Sequence, residues 1–232
     1  MAVPVVYIEA GVREATVKIL ITAGGSREAM DDVRYLGNRS TGRTGALIAA
    51  EAVRRFHTVY LLKGEGSISP APWADDTGLL QQVTYTSATD LLEKGLELMG
   101  RHTFDAIIAA AAVADFAPER QKGKVSSNRD EWTLVLRPTP KVIDRLAASA
   151  PQATLVIFKL EATQEQHQLV VRAQATMNRV GADLAVANFA AGMGRDDHPA
   201  LLVEPDGSTR SVEHRDHLAL SLVQWLEERT QL

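Results

Sequence analysis

The chain has 232 residues, 45% of them hydrophobic and 23% charged, with a formal net charge of −4. A chain of that length can bury a large core without staples, and its acidic balance argues against general attraction to nucleic acid or membranes. It contains no cysteine, which excludes disulfides, thiolate metal sites and a cysteine nucleophile.

Residues 1–16 stand apart as an N-terminal extension or edge strand: 3–8 is apolar and Gly11 breaks it. A subunit-exchanging arm is the alternative. No basic stretch leads into a long apolar segment, and the most apolar run, 107–114, is too short to span a bilayer. A cytoplasmic protein is expected.

From residue 17 onward, strand-like runs alternate with helical patterns. This predicts one α/β domain with a Rossmann-like, doubly wound, mostly parallel sheet covered by helices on both faces. Residues 17–23 (VKILITA) read as a buried strand ending in Gly24 and Gly25, followed by a polar loop. Small and apolar residues at Ala46, Ile48, Ala49, Ala52, Val53 and Phe56 predict a helix over 41–56. Strands are predicted at 58–62 and 82–85 around a loop at 67–78, then a helix over 88–100. Residues 104–113 (FDAIIAAAAV) are apolar on both faces, as a central parallel strand should be.

Residues 132–136 read as an edge or hairpin strand. Thr139 is read as the cap and Pro140 as the first turn of a helix through 148. A strand at 154–158 follows, then a helix capped by Thr163, carrying Leu169, Val170, Ala173 and Met177 inward and stopping at Gly181. A strand at 183–187 and a hairpin around Asp206-Gly207 precede a closing helix over 215–229.

In such a sheet, ligands sit beyond the carboxyl ends of the strands. Four polar segments fall there: 24–45, 111–115 with its trailing loop, 158–161 and 188–194. In the first, Gly24 and Gly25 leave amides free to approach an anion. Ser40, Thr41 and Gly42 open a helix whose terminus favours phosphate, and Arg34, Asn38 and Arg39 lie between. The same residues also fit a plainer reading, a Ser/Thr cap with arginines paired to Asp31 and Asp32. The segment is not a Walker A loop.

Taken together, AGGSRE, DDVRYLGNRSTGRTG, AAAVADF, GKVSS, RPTPKVI, FKLEA and DLAVAN resemble, in order and spacing, the phosphopantothenate–cysteine ligases. The resemblance runs from residue 17 to the end, making 17–232 a nucleotide-binding ligase domain with a flap or hairpin. Such enzymes are often fused behind a flavin-dependent decarboxylase. That module has no counterpart in this sequence, so a stand-alone form without flavin is expected.

The resemblance implies activation of the 4′-phosphopantothenate carboxylate by CTP or ATP with Mg²⁺, then displacement by the cysteine amine. It implies that Asn38 contacts the acyl-nucleotide, with Arg34 in the same loop. Ala111 and Ala112 would let the nucleotide approach, and Asp115 would bind it. Lys124, or its competitor Lys122, would be the activating lysine on a flap over 119–129. Phe158 would lie near the base, and Asn188 would match the family asparagine. No protein metal site is expected. A homodimer is, through the hairpin around Lys124 or Asp206-Gly207.

The sequence departs from the family where its aspartate becomes Phe189 and its helix lysines fall on Thr176 and Val180, with Arg172 and Arg179 nearby. These departures keep a related acid–amine ligase and a non-catalytic nucleotide-binding subunit open. An NAD(P)-dependent reductase is a further alternative, from the glycine-rich turn at 41–45 and Glu65 as a ribose ligand. Asp196, Asp197 and His198 read as a solvated turn. Trp73, Trp132 and Trp225 read as packing residues.

Overall fold

Strand β1 (Lys18–Ala23) carries Ile19, Leu20 and Ile21 with no exposed surface. It is flanked on both edges by parallel neighbours, as a run apolar on both faces requires. The computed structural model describes residues 16–192 and 199–230. The strand-like 3–8, Gly11, Gly194 and the turn at 196–198 lie outside the described residues.

After β1 come a short hairpin, β2 (Arg27–Ala29) and β3 (Tyr35–Gly37), and helix α1 (Arg43–Arg54). Strand β4 (Thr58–Gly64), a one-turn helix α2 (Pro72–Asp75), strand β5 (Leu80–Tyr85) and helix α3 (Ala88–Arg101) complete the first half. The second half holds β6 (Ala106–Ala109), a hairpin of β7 (Phe116–Pro118) and β8 (Leu136–Pro138), and helix α4 (Val142–Ser149). It continues through β9 (Thr154–Glu161), α5 (Gln166–Val180) and β10 (Leu184–Phe189). The antiparallel pair β11 (Ala200–Val203) and β12 (Thr209–Val212) and helix α6 (Arg215–Arg229) close it.

The main sheet has eight strands in the order β12-β11-β10-β9-β6-β1-β4-β5. From β1 the chain winds outward through β4 and β5, then crosses back to β6 and winds the other way. The reversal leaves a crevice at the carboxyl ends of β1 and β6. Two apolar layers sandwich the sheet. One joins Ile48, Ala52 and Val53 of α1 to Leu222, Val223 and Leu226 of α6. The other joins Leu91 of α3, Leu146 of α4 and Leu169, Ala173 and Met177 of α5. Each fully buried aliphatic side chain contributes about 1.5–3 kcal/mol. No helix among the described residues is long and apolar enough to cross a membrane.

Several local expectations change. The strand read over 104–113 ends at Ala109. Beyond it the alanine run leaves the sheet and meets the first turn at an isolated bridge, Gly25 to Ala112. The strand read at 132–136 forms later, as β8, because its partner is β7. Thr139 caps no helix; its hydroxyl donates to the Ala114 carbonyl at 2.5 Å, and α4 begins at Val142. Thr163 accepts from Glu165 N–H, with α5 starting beyond it. Trp73, read as a packing residue, is 45% exposed. The loop segment 25–42 contains the β2–β3 hairpin.

Candidate functional site

A cleft of about 860 Å³ opens at the carboxyl ends of β1, β6, β9 and β10. Its floor is built from small residues. Tyr85, fully buried, donates its hydroxyl to the carbonyls of Ala23 and Gly24 at 3.0 and 3.2 Å, fixing the turn after β1. The Gly24 carbonyl also accepts Ala112 N–H at 2.8 Å, and the Ala112 carbonyl accepts Ser26 N–H at 3.1 Å. The buried Ser26 hydroxyl accepts Ala114 N–H at 2.9 Å. The run 109–115 is thereby tied to the turn after β1, and its alanines form one wall of the cleft.

The second wall is the run from Gly37 to Gly45. Gly42 takes φ 76° at the start of α1, and the first helical hydrogen bond runs from Ala46 N–H to the Gly42 carbonyl. The amides of the first turn have no intrahelical acceptor, no acidic residue occupies that turn, and the helix end favours an anion. Gly45 sits so close to β1 that a Cβ would lie 2.4 Å from the Ala23 Cβ.

The lining is strongly cationic. Among the described residues Arg39, Arg43, Lys141, Lys159, Arg179 and Arg215 contribute six positive side chains, against the single carboxylate of Asp115. The whole chain is net negative, so this concentration is local and suits a polyanionic ligand. Some of the charge is shared: Lys141 pairs with Asp115 at 2.5 Å, Lys159 with Glu161 at 3.0 Å, and Arg179 with Asp144. Burial works against the charged form of Glu161, but hydrogen bonds from Lys159 and Arg172 outweigh it and hold the carboxyl below its usual range.

Of the residues singled out from sequence, Asn38, Ser40, Gly42, Ala111, Ala112, Asp115, Phe158 and Asn188 all line this one cleft. Asn38 donates its amide to the Ala112 carbonyl at 2.8 Å. Phe158 also packs on the α1–α6 layer. Asn188 is buried and donates to the Pro199 carbonyl at 3.1 Å. Phe189 packs into the opposite layer. Thr176 lines the cleft, while Val180 packs into the core.

Gly24 and Gly25 are buried beneath the cleft and shape it from behind. Arg34 is not in the lining. Its guanidinium is engaged by Asp31 at 2.5 and 3.0 Å and by the Val125 carbonyl at 2.8 Å, the arrangement of the plainer ion-pair reading. Lys122 and Lys124 are exposed and also outside the lining. Their segment is held at the tip of the β2–β3 hairpin, through Gln121 N–H to Met30, Gly123 N–H to Asp32 and Val125 N–H to Asp31.

Lys141, Lys159 and Arg215 carry charge into the cleft and were not singled out from sequence. The available signal was position, since Lys159 directly follows Phe158 near the carboxyl end of β9. Glu65, the ribose ligand of the reductase alternative, lies outside the lining and is 3.6 Å from Arg27. Among the described residues no three His, Asp or Glu side chains cluster as metal ligands.

The chain matches the family model described as DNA/pantothenate metabolism flavoprotein C-terminal domain over residues 15–229. It is 33% identical over 190 residues to the coenzyme A biosynthesis bifunctional protein CoaBC of Thermococcus kodakarensis, covering 82% of this chain and 45% of that protein. The Bacillus subtilis protein of the same name is 31% identical over 208 residues, covering 88% of this chain and 48% of that one. The chain thus spans about half the length of these curated relatives. A solved structure, the DNA/pantothenate metabolism flavoprotein from Streptococcus pneumoniae, is similar with a TM-score of 0.83 and 27% identity, covering 92% of this chain and 100% of that one.

Proposed function

We propose, from the premise that this chain belongs to the DNA/pantothenate metabolism flavoprotein C-terminal domain family, that it joins 4′-phosphopantothenate to cysteine at the expense of CTP or ATP. The observation that carries this reading is the cleft itself. Among the described residues, six cations face one carboxylate beside the open end of α1 and a wall of alanines. The relatives' name, a coenzyme A biosynthesis protein, supports the same step.

In the proposed reaction a carboxylate oxygen of phosphopantothenate attacks the α-phosphorus of the nucleotide, and pyrophosphate leaves. The cysteine amine then attacks the acyl carbonyl, and the nucleoside monophosphate leaves with the bonding pair. The first step sets two anions side by side. The terminus of α1 with Arg39 and Arg43 on one wall, and Lys141, Lys159 and Arg179 on the other, would neutralise them. Asn38, in the same lining, would donate its amide to the acyl oxygen as negative charge develops in the second step. Phe158 would lie near the base.

Among the described residues Asp115 is the one carboxylate in the lining, and it would help to hold a hydrated Mg²⁺ that accompanies the nucleotide. When bound, the ion screens phosphate charge.

Lys124 or Lys122 would supply the activating lysine from a second copy of the chain. Both sit outside this cleft, beside two small hairpins that expose Val33, Tyr35, Leu36, Phe116, Val135 and Leu136. An exposed apolar group of this kind suits a protein interface. The proposed assembly is a homodimer.

The test is pyrophosphate release by the purified chain. Release requiring phosphopantothenate, nucleotide and Mg²⁺ together supports the reading, and the better of CTP and ATP identifies the nucleotide. No release with either nucleotide overturns it.

A further inference from the structure

At the tip of the β2–β3 hairpin, five N–H groups converge on the carboxylate of Asp31, a residue only 3% exposed. The backbone N–H groups of Val33 and Arg34 reach Oδ1 at 2.8 and 2.7 Å. Arg34 Nε and Nη2 reach Oδ2 at 3.0 and 2.5 Å, and Val125 N–H reaches it at 3.1 Å. A turn of this type needs only the first two bonds. Of the other three, two come from Arg34 in the same hairpin, and the third, from Val125, joins the hairpin to a segment more than 90 residues away in sequence.

Arg34 Nη2 also donates to the Val125 carbonyl at 2.8 Å, so one ion pair grips Val125 by both its N–H and its C=O. The neighbouring Asp32 accepts Gly123 N–H at 3.0 Å and returns its own N–H to the Gly123 carbonyl at 3.2 Å. Residues 123 and 125 are both fixed, and the exposed Lys124 stands between them. The face of the Arg34 guanidinium is covered by Trp132 at 4.4 Å. Trp132 Nε1 is buried and bonds nothing among the described residues.

We infer that Asp31 is a positioning residue, whose carboxylate, through Arg34 and Val125, holds Lys124 in the orientation that the ligase reaction uses. This rests on the proposed function for its chemistry. The grip itself stands on the geometry alone. A purely local turn would not require Arg34 to reach Val125, nor Trp132 to cover it.

The experiment uses the full chain with Trp73→Phe and Trp225→Phe, so that Trp132 alone emits. Asp31→Asn keeps an acceptor for the turn but removes the charge and one acceptor oxygen. Expected is a folded protein whose Trp132 is quenched by acrylamide about twofold more readily, with kcat about tenfold lower and KM for cysteine little changed. Combined with Lys124→Gln, Asp31→Asn should add nothing to the loss from Lys124→Gln alone, because residues acting as a unit are non-additive.

An unchanged kcat, or losses that simply multiply, would overturn the inference. Should Asp31→Asn fail to fold, Arg34→Lys keeps a positive charge without the fork, and the same pattern is expected of it. A parent protein that releases no pyrophosphate sinks the ligase reading and the catalytic role of Asp31 with it. Trp132 quenching then decides separately whether Asp31 holds the segment.

Discussion

The side-chain amide of Asn38 and the backbone N–H of Ser26 meet on one acceptor, the Ala112 carbonyl, at 2.8 and 3.1 Å. Asn38 is therefore held against the alanine wall without being the only group that satisfies it. Asn38→Ala leaves that carbonyl paired, so its effect on stability should stay within about 1 kcal/mol. If the amide donates to the acyl oxygen, kcat should fall by about 10²–10³. Pyrophosphate release alongside urea denaturation checks both. A large loss of stability would mean that the residue is structural first.

Gly45 tests how closely α1 must approach the sheet. A methyl group there would meet the Ala23 Cβ at 2.4 Å, so α1 would have to move away from β1. Gly45→Ala should cost about 1–3 kcal/mol, as overpacking does. It should also weaken nucleotide binding, because the start of α1 is a cleft wall. Urea midpoints and nucleotide titration calorimetry measure the two effects. Unchanged stability would show that the helix has room to shift.

The pH dependence follows from two carboxylates. The hydrogen bond from Arg34 holds Asp31 well below its usual range despite the opposing effect of burial, with help from the N–H groups of Val33, Val125 and Arg34. Glu161 is lowered by Lys159 and Arg172 against its own burial. For groups depressed in the folded state, the stabilisation is complete above the unfolded pKa, at about pH 4–5. It is lost as pH falls through the folded values. Denaturant midpoints should therefore be flat near neutrality and decline below about pH 4, and Asp31→Asn should make that decline shallower. Equal slopes for both proteins would contradict the assignment.

Tyr85 ties the edge strand β5 to the turn after β1. Its hydroxyl is shared by the carbonyls of Ala23 and Gly24, and burial pushes its pKa above the ordinary tyrosine value. Tyr85→Phe removes only the oxygen. It should destabilise by about 1–2 kcal/mol while leaving the cleft charges in place. Thermal melting of the variant checks it, and no shift would mean that the hydroxyl bonds contribute nothing net.

The sheet was legible because its central strands are buried on both faces and its helices repeat at 3.6 residues. The strand read at 17–23 and the helices read over 41–56 and 215–229 are found at 18–23, 43–54 and 215–229. The cleft lining was legible where it depends on strand ends and small residues, as with Ala111 and Ala112. It was not legible where a side chain had two partners to choose from. Arg34 is adjacent in sequence to both a phosphate-type loop and Asp31, and only the arrival of Val125 and Trp132 makes the ion pair the more favourable partner. Lys159 fell in the polar segment 158–161, already placed beyond a strand end, but nothing in the sequence set it apart as a cleft cation; the strand in fact runs on to Glu161 and carries Lys159 to the cleft. The β2–β3 hairpin was missed, and the hairpin strand read at 132–136 was placed early, because each hairpin has only three residues per strand and is stabilised by the other elements it touches.

Those hairpins carry the last prediction. Tyr35 and Leu36 on β3 and Phe116 and Leu136 on β7 and β8 are all more than a third exposed, although burying each would contribute about 1.5–3 kcal/mol. If a second copy covers them, a charge there should break the pair without touching the cleft lining, to which none of these residues contributes. Leu36→Lys and Phe116→Lys should each raise the dissociation constant by at least about tenfold, measured by sedimentation at micromolar concentration. Because neither Lys122 nor Lys124 reaches the cleft of its own chain, dissociation should also abolish pyrophosphate release. Mixing Phe116→Lys with Asn38→Ala should not restore it if the interface is lost. A parent chain that sediments as a monomer yet releases pyrophosphate at full rate would overturn both the assembly and the shared-lysine arrangement.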